Sequence, residues 1–134
     1  MKEFITSYRV YYEDTDAAGV VYHSNYLNFA ERARTEWLRS IGFEQSSLMK
    51  EEGIVIPVFH LKIDYLKPAR LDDLLEIETT ISQVKNVRMI IMQKIRKNHE
   101  LIAKLEVHIA CCNLENKPIK WPEKIQLVLK SHNS

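Results

Sequence analysis

The feature that most constrains the fold is a single change of hydrophobic period along the chain. From about Asn25 the apolar residues recur at spacings of three and four, which indicates one face of a helix. These residues are Tyr26, Ala30, Ala33, Trp37 and Ile41. A short helical piece follows at 45–51, and from there to about Asn113 the pattern alternates with period two, which is typical of strands. The sequence therefore predicts one long helix and then a run of strands.

Both ends of the long helix carry recognisable signals. Ser24 or Asn25 can cap its start, because short polar side chains accept hydrogen bonds from the first helical amides. Arg39 stands in the last turn, and Gly42 follows where a left-handed residue would end the helix.

The alternating segments are joined by turns too short for a crossover helix. One strand precedes the helix at residues 7–13, with Tyr8, Val10 and Tyr12 on one face. The four later strands are predicted around 59–65, 75–81, 87–95 and 101–111. Polar turns at 85–86 and 97–100 imply antiparallel hairpins, since parallel strands need a long connection. We therefore predict an α+β domain in which one five-stranded antiparallel sheet can curl around the helix.

The outer face of this sheet also holds apolar side chains. Ile90, Met92, Ile102 and Ala110 occupy strand positions that alternate with the predicted core. We expect part of this face to meet another subunit, the alternative being the ordinary scattered exposure of apolar residues.

Size and charge exclude several classes of protein. The 134 residues fit one domain over 1–134, with no linker or repeat. A net charge of +1 gives no strong field for nucleic acid, so we expect no nucleic-acid partner. No apolar stretch approaches the ~20 residues of a membrane span, and MKEFITSYRV lacks the continuous apolar h-region that is typical of a signal peptide. The adjacent Cys111 and Cys112 are expected to be buried thiols, which together with these points predicts a cytoplasmic location.

The irregular segment EDTDAAGVVYH at 13–23 brings carboxylates, a glycine and an imidazole to the start of the helix. The first helical amides lack internal acceptors and can hold the oxyanion that forms when a carbonyl is attacked. Asp16 would activate the attacking group or attack directly, since the chain has no nucleophile elbow and no HExxH or CxxC spacing. From chemistry alone, a turn carboxylate that bonds nearby amides is the other interpretation of Asp16.

The stretch YYEDTDAAGVVYHSNYLNFAERART resembles the signature of the 4-hydroxybenzoyl-CoA thioesterase family, and specifically its YbgC-like acyl-CoA thioesterases. Weaker similarity continues through DYLKPARLDDLLEIET and covers most of the chain before its C-terminal end. The resemblance implies a hot-dog fold, in which an antiparallel sheet wraps one long central helix. It also implies dimers that share a sheet, commonly paired into tetramers, with each active site at a dimer interface.

The resemblance also implies roles for three residues. Asp16 matches the family's essential aspartate, which activates a water or attacks the thioester carbon itself. His23 matches a histidine of the YbgC-like branch whose backbone amide joins the oxyanion hole and whose ring reaches the thioester, the alternative being a capping or packing histidine. Tyr12 matches a tyrosine near the aspartate, where its phenol would orient Asp16 or the carbonyl, or else pack in the core.

A basic turn is the expected contact for the phosphates of coenzyme A. Lys85 and Arg88 match positions that supply such contacts in the hydroxybenzoyl-CoA branch. The chain departs from that branch at Asn86 and Val87, so a solvated basic turn is the alternative.

The function that the resemblance implies is hydrolysis of an acyl-CoA, or of an acyl group on acyl-carrier protein, to a free acid and a thiol, as part of lipid metabolism. Phospholipid-synthesis enzymes are implied as further partners. We expect no cofactor and no metal, because the five histidines and two cysteines lack ligand spacing along the chain.

Two other functions are compatible with the same fold. A dehydratase would use a histidine with a helical acid, which His23 and Glu36 imitate, but the glycine- and proline-rich segment expected around such a histidine is missing. A non-catalytic protein that binds acyl carriers, or serves as a scaffold, would keep the fold without the chemistry.

Overall fold

A computed structural model describes residues 3–133, so residues 1, 2 and 134 of the predicted domain lie outside the described part. In chain order the elements are β1 (Phe4–Arg9), a 3-10 turn (Tyr12–Asp14), α1 (Asn25–Ser40), α2 (Gln45–Glu52), β2 (Val58–Tyr65), β3 (Leu74–Val84), β4 (Arg88–Lys97), β5 (Glu100–Ala110) and α3 (Glu123–Asn133). The strands form one sheet in the order β1-β3-β4-β5-β2, and all neighbouring pairs are antiparallel. The predicted α+β class and five-stranded antiparallel sheet are confirmed.

α1 begins and ends where its sequence predicts, but its start lacks the expected side-chain cap. Gly42 has φ of +100°, its N–H donates to the Arg39 carbonyl at 3.0 Å, and the Phe43 N–H donates to the Leu38 carbonyl at 3.0 Å. This pair of bonds ends the helix in a left-handed turn that favours glycine. Ser24 occupies the cap position but makes no side-chain cap hydrogen bond.

A buried polar network joins α1 to the middle of the sheet. Gln93 Nε2 on β4 donates to the Ala30 carbonyl at 2.9 Å and to Thr79 Oγ1 at 3.1 Å. Arg34 Nη1 donates to Gln93 Oε1 at 3.0 Å. Apart from these groups, the interface between α1 and the sheet is mainly apolar, and the side chains of Gln93 and Thr79 are fully buried. Both donors of the Gln93 amide and its oxygen therefore have partners. Because two of these partners belong to α1, the network fixes the helix at one place on the sheet.

The first strand differs from its prediction. β1 ends at Arg9 rather than at residue 13, because Asp14 Oδ2 accepts the Tyr11 N–H at 2.7 Å and draws the chain into the 3-10 turn. Val10 is buried as predicted, but Tyr12 lies in the turn with 82% of its surface exposed. The prediction that the strand continues through Tyr12 is therefore wrong, because the hydrogen bond from the Tyr11 N–H to the Asp14 side chain competes with strand pairing.

The described chain contains three helices, of which α3 was not predicted. α1 is the longest, with 16 residues, and α3 has 11. Ile125 and Leu129 of α3 are fully buried, and this helix contacts β3. The picture of a single long helix is thus incomplete, because the C-terminal segment adds a second amphipathic helix to the core.

The outer face of the sheet is less apolar than predicted. Ile102 and Ala110 are only 1% and 7% exposed within the chain itself, so no second subunit is needed to cover them. Ile102 falls at a shift of register between Ile95 and Arg96, which explains why it leaves the alternation. Ile90 and Met92 remain half-buried on this face.

Both cysteines are free and buried, as expected. Burial, with a smaller contribution from the neighbouring Cys112, raises the pKa of the Cys111 thiol to about 11. In the described part of the chain, no helix has the length and apolar character needed to cross a membrane.

Candidate active site

The segment at 13–23 folds back on itself as a small loop that presents Asp16. Thr15 pairs with Val21, and the Asp16 N–H donates to the Val20 carbonyl at 2.9 Å. The Gly19 N–H donates to the Asp16 carbonyl at 2.9 Å, and Gly19 has φ of +80°. A residue with a Cβ would be strained at that angle, so glycine allows the loop to close. Asp16 consequently sits at the exposed tip of the loop.

The two aspartates of this segment lie in opposite environments. Asp14 is buried, its Oδ2 accepts the Tyr11 N–H at 2.7 Å, and its Oδ1 accepts the Asn25 Nδ2–H at 2.7 Å. Asp16 is exposed, and its Oδ1 accepts the Ala18 N–H at 2.9 Å. The other oxygen of Asp16, Oδ2, accepts no hydrogen bond from the described residues. Asp14 therefore holds the loop to the start of α1, while Asp16 keeps an oxygen available for chemistry.

His23 lies in the turn that leads into α1, and its side chain is exposed. Its ring packs against Tyr22 with a centroid distance of 4.5 Å. The Tyr65 hydroxyl of β2 donates to the His23 carbonyl at 2.7 Å, which fixes the backbone of the turn. No backbone carbonyl in residues 3–133 accepts the His23 N–H, so this amide can bind an external oxygen.

A cleft of about 300 Å³ opens beside His23. Its lining is Val21, His23, Tyr26, Tyr65, Leu66, Lys67 and Pro68. Tyr26 accepts the Ala69 N–H through its hydroxyl at 3.0 Å, and its ring meets Tyr65 edge-on at 5.4 Å. Burial raises the pKa of both phenols, so Tyr26 and Tyr65 stay protonated at neutral pH. The cleft is thus a mainly apolar slot with His23 in its wall.

Sequence reasoning did not identify Tyr65, Asp14 or Asn25 as parts of this site. Tyr65 shares its strand face with Leu61 and Ile63, which pack against the core, and this period-two pattern is the signal that could have brought it near the helix start. Asp14 and Asn25 are eleven residues apart, and only the folded loop brings them together.

Tyr12 does not reach Asp16 within one chain. Its carbonyl accepts the Thr15 hydroxyl at 2.8 Å and the Thr15 N–H at 3.1 Å, while its phenol points into solvent. Across the described residues no hydrogen bond joins the Tyr12 hydroxyl to Asp16. Within one chain, Tyr12 therefore helps to form the turn through its backbone carbonyl.

Lys85 and Arg88 lie together in the turn between β3 and β4, where the Lys85 N–H donates to the Arg88 carbonyl at 2.8 Å. The Arg88 guanidinium stacks on the Phe59 ring at 5.4 Å from its centroid. Both basic residues line a pocket of about 180 Å³ whose other walls include Phe59 and His108. The arrangement offers cations beside an aromatic face, which can take a phosphate or a ring.

The basic turn and Asp16 lie at opposite ends of β3 in one chain. Val20, next to the Asp16 loop, pairs with Arg70 just before β3, whereas Lys85 follows the last residue of that strand. With 11 residues in β3, the two regions are roughly 33 Å apart at about 3.3 Å per residue.

The dehydratase pair is not assembled in one chain. Glu36 forms an ion pair with Arg39 near the end of α1, whereas His23 precedes the helix. The eleven helical steps from Asn25 to Glu36 alone span roughly 16 Å.

Sequence comparison places these residues among thioesterases. A family model described as the thioesterase-like superfamily matches residues 10–129. The chain is 46% identical over 119 residues to the acyl-CoA thioesterase YbgC of Haemophilus influenzae, covering 88% of each chain. It is 44% identical to the acyl-CoA thioester hydrolase YbgC of Escherichia coli O6:H1 over 119 residues, which is 87% of this chain and 88% of that one.

Solved structures have the same architecture. A probable thioesterase from Bartonella henselae superposes with a TM-score of 0.87 at 37% identity, over 90% of this chain and 100% of that one. A 1,4-dihydroxy-2-naphthoyl-CoA thioesterase from Synechocystis gives a TM-score of 0.90 at 28% identity, over 99% of both chains.

Proposed function

The chain belongs to the thioesterase-like superfamily and has its hot-dog fold, and we propose from this that it hydrolyses acyl-CoA thioesters with Asp16 as the reactive carboxylate. The observation that carries the proposal is the exposed Asp16 carboxylate, with one oxygen unused, on a loop that leads through Val21 to the cleft. The relatives named acyl-CoA thioesterases support the reaction class.

Two routes use the same residue. As a general base, Asp16 takes a proton from water while the water oxygen bonds to the thioester carbon. As a nucleophile, Asp16 forms an anhydride with the acyl group, which water then cleaves. In both routes the carbonyl oxygen becomes an oxyanion, and the carbon–sulfur bond breaks as the thiolate leaves and takes a proton. The free His23 N–H and the positive end of α1 can stabilise that oxyanion.

We propose that a second copy of the chain completes the site by pairing along β2. The Leu66 N–H donates to the Ile102 carbonyl of β5 at 2.8 Å. In an antiparallel pair, the backbone N–H and C=O groups of successive residues point alternately toward the partner strand and away from it. The backbone groups of Ile63 and Tyr65, at odd positions, should therefore face the free edge. This edge also exposes Phe59, which is 50% accessible. An unpaired edge with apolar side chains favours association with another strand.

Antiparallel pairing of two β2 strands would bring the basic turn of one copy close to Asp16 of the other. The two-fold axis reverses the second copy, so that its Lys85 and Arg88 approach the Asp16 loop of the first. The basic turn would then bind the phosphates of coenzyme A while the acyl group enters the cleft beside His23. Tyr12, whose phenol is free, would also face the second copy.

The test is release of free thiol from a panel of short, long and aromatic acyl-CoAs and from acyl-carrier protein carrying the same acyl groups. Hydrolysis produces a thiol, whereas a dehydratase or a scaffold protein produces none. Turnover of acyl-carrier protein at a rate comparable with coenzyme A would make it the second substrate class and a protein partner. Absence of thiol release from every thioester in the panel would contradict the proposed function.

A further inference from the structure

Three potential metal ligands meet on the outer face of the sheet, away from α1. Glu106 and His108 are two residues apart on β5 and therefore share a face. Val107 and Ile109, which alternate with them, are buried in the core. His60 on the edge strand β2 pairs directly with His108. Strand pairing thus brings together side chains that lie 46 to 48 residues apart in the sequence.

The distances are close to those of a coordination site. One ligand atom from each of His60, Glu106 and His108 lies within 4.8 Å of the others. His108 Nε2 and Glu106 Oε2 are 2.8 Å apart, and the two imidazole rings meet at 83° with centroids 4.8 Å apart. Bonds of about 2.0–2.2 Å in a tetrahedral site separate ligand atoms by about 3.4 Å. A bound ion would draw the three ligand atoms, which lie within 4.8 Å of one another, toward that separation.

The chemistry of the three groups suits a borderline cation. A glutamate carboxylate and a histidine imidazole are both common ligands of such a cation. The side chains of His108 and Glu106 are 22% and 40% exposed, so that an ion from solvent can reach them. Lys62 pairs across the strands with Glu106 and is the main competing cation.

The local backbone holds His60 in place. The register of β2 against β5 shifts between Val58 and His60, so Phe59 lies in a bulge. The Phe59 ring contacts His108 edge-on at 5.8 Å and covers one side of the cluster. Bulges commonly redirect a side chain at an edge strand. His60 is the residue that distinguishes this cluster from an ordinary His–Glu hydrogen bond.

We propose that His60, Glu106 and His108 bind a divalent transition-metal ion of the zinc class. Two imidazoles and one carboxylate form a common three-ligand set for zinc, with a fourth position open to water. The ion would cross-link the edge strand β2 to β5. The expectation that the chain has no metal site considered spacing along the sequence alone, and it could not include partners supplied by strand pairing.

The test uses the full-length protein after removal of bound metal, at about pH 7.5, where imidazole is mostly neutral. Cobalt(II) titration reports the site through its visible absorption, zinc competition gives the affinity, and melting with and without zinc reports the cross-link. We expect one ion per chain and a higher Tm with zinc. His60→Gln and His108→Gln should each weaken cobalt binding at least about tenfold, because one of three ligands is lost.

Two controls separate this site from other binding. His99→Gln, in the turn between β4 and β5, removes a histidine outside the cluster and should bind cobalt as the wild type does. Asp16→Asn should also bind normally, so failure of the proposed hydrolytic site would leave this result unchanged. Lack of cobalt binding by the wild type, or equal affinity in all four variants with unchanged circular dichroism, would overturn the proposal.

Discussion

At the scale of single residues, Asp14 and Asp16 show how burial separates two carboxylates that stand two positions apart. Asp14 is 6% exposed and spends both oxygens on hydrogen bonds within the chain. Asp16 is exposed and bonds one backbone amide. Within one short segment, Asp14 therefore holds the backbone in place, while Asp16 keeps one oxygen free of hydrogen bonds from the described residues.

Replacement of Asp16 by asparagine should lower kcat by about 10²- to 10⁴-fold or more, because an amide can neither take the proton of water nor act as a good nucleophile. The amide has nearly the same shape, so acyl-CoA affinity should change little. An exposed turn substitution should also cost less than about 1 kcal/mol of stability. Steady-state kinetics, substrate binding and thermal melting measure the three quantities.

Glu13→Gln is the matched control, since Glu13 is an exposed carboxylate of the same segment and should keep wild-type turnover. Asp14→Ala should chiefly lower stability, by about 2 kcal/mol, because the Tyr11 N–H and the Asn25 side-chain amide both lose their acceptor. Retention of more than about a tenth of wild-type kcat by Asp16→Asn would refute its catalytic role.

Cys111 provides a pH prediction at the same scale. Its folded pKa, raised by burial to about 11 from an ordinary value of 9.0, keeps the thiol protonated at pH values where an unfolded chain begins to form thiolate. This group's contribution to stability is therefore fully present below about pH 9 and is lost as pH rises toward 11. Iodoacetamide at pH 8 should modify Cys111 far more slowly in the folded than in the denatured protein. Equal rates in both states would show that the thiol is accessible.

At the scale of elements, the contact between α1 and β4 depends on a polar group inside an apolar layer. Burial lowers the pKa of the Arg34 guanidinium, with an opposing effect from Glu31, but Arg34 stays charged at neutral pH. Gln93 supplies the oxygen that this buried charge requires, and its amide hydrogens satisfy Ala30 and Thr79. Within a mainly apolar interface, Gln93 is thus the side chain that satisfies the buried polar groups between helix and sheet.

Gln93→Leu should lower the free energy of unfolding by about 3–5 kcal/mol, because it leaves Arg34 buried without a partner. The double variant Arg34→Met with Gln93→Leu should recover much of that loss, since both polar groups are then removed together. Denaturant unfolding of the two single variants and the double variant measures the coupling. Additive losses would show that Arg34 and Gln93 act independently.

The elements also show how far the sequence could be interpreted. The bounds of α1, α2 and the four strands after it follow the predicted segments within three residues, because hydrophobic period is a local property. β1 covers Phe4–Arg9 where residues 7–13 were predicted, and it ends early because the Asp14 side chain accepts the Tyr11 N–H. α3 was missed because its short apolar pattern is meaningful only once Ile125 and Leu129 meet the rest of the core.

At the scale of the whole molecule, the proposed shared site follows from the open edge at β2 and from the distance between Asp16 and the basic turn. Ile63→Pro should convert a dimer to a monomer and abolish most turnover, since proline removes an N–H that faces the edge and leaves the β2–β5 ladder in place. Light scattering and thiol release on the same sample measure both effects.

Ile63→Ala is the matched control, because it shortens the same side chain and keeps the N–H. It should remain a dimer with lower stability. A monomeric wild type with full activity at micromolar concentration would contradict the shared site.

The sequence by itself determined the class of the fold, the long helix and its glycine stop, and the identity of the Asp16 segment. Each of these depends on residues close together in the chain. The tertiary structure decided which carboxylate is buried, that Tyr65 supports the His23 turn, that Lys85 and Arg88 lie far from Asp16, and that His60 meets His108. These relations depend on strand pairing and packing between distant segments, whose register is set by the whole core and by no local pattern.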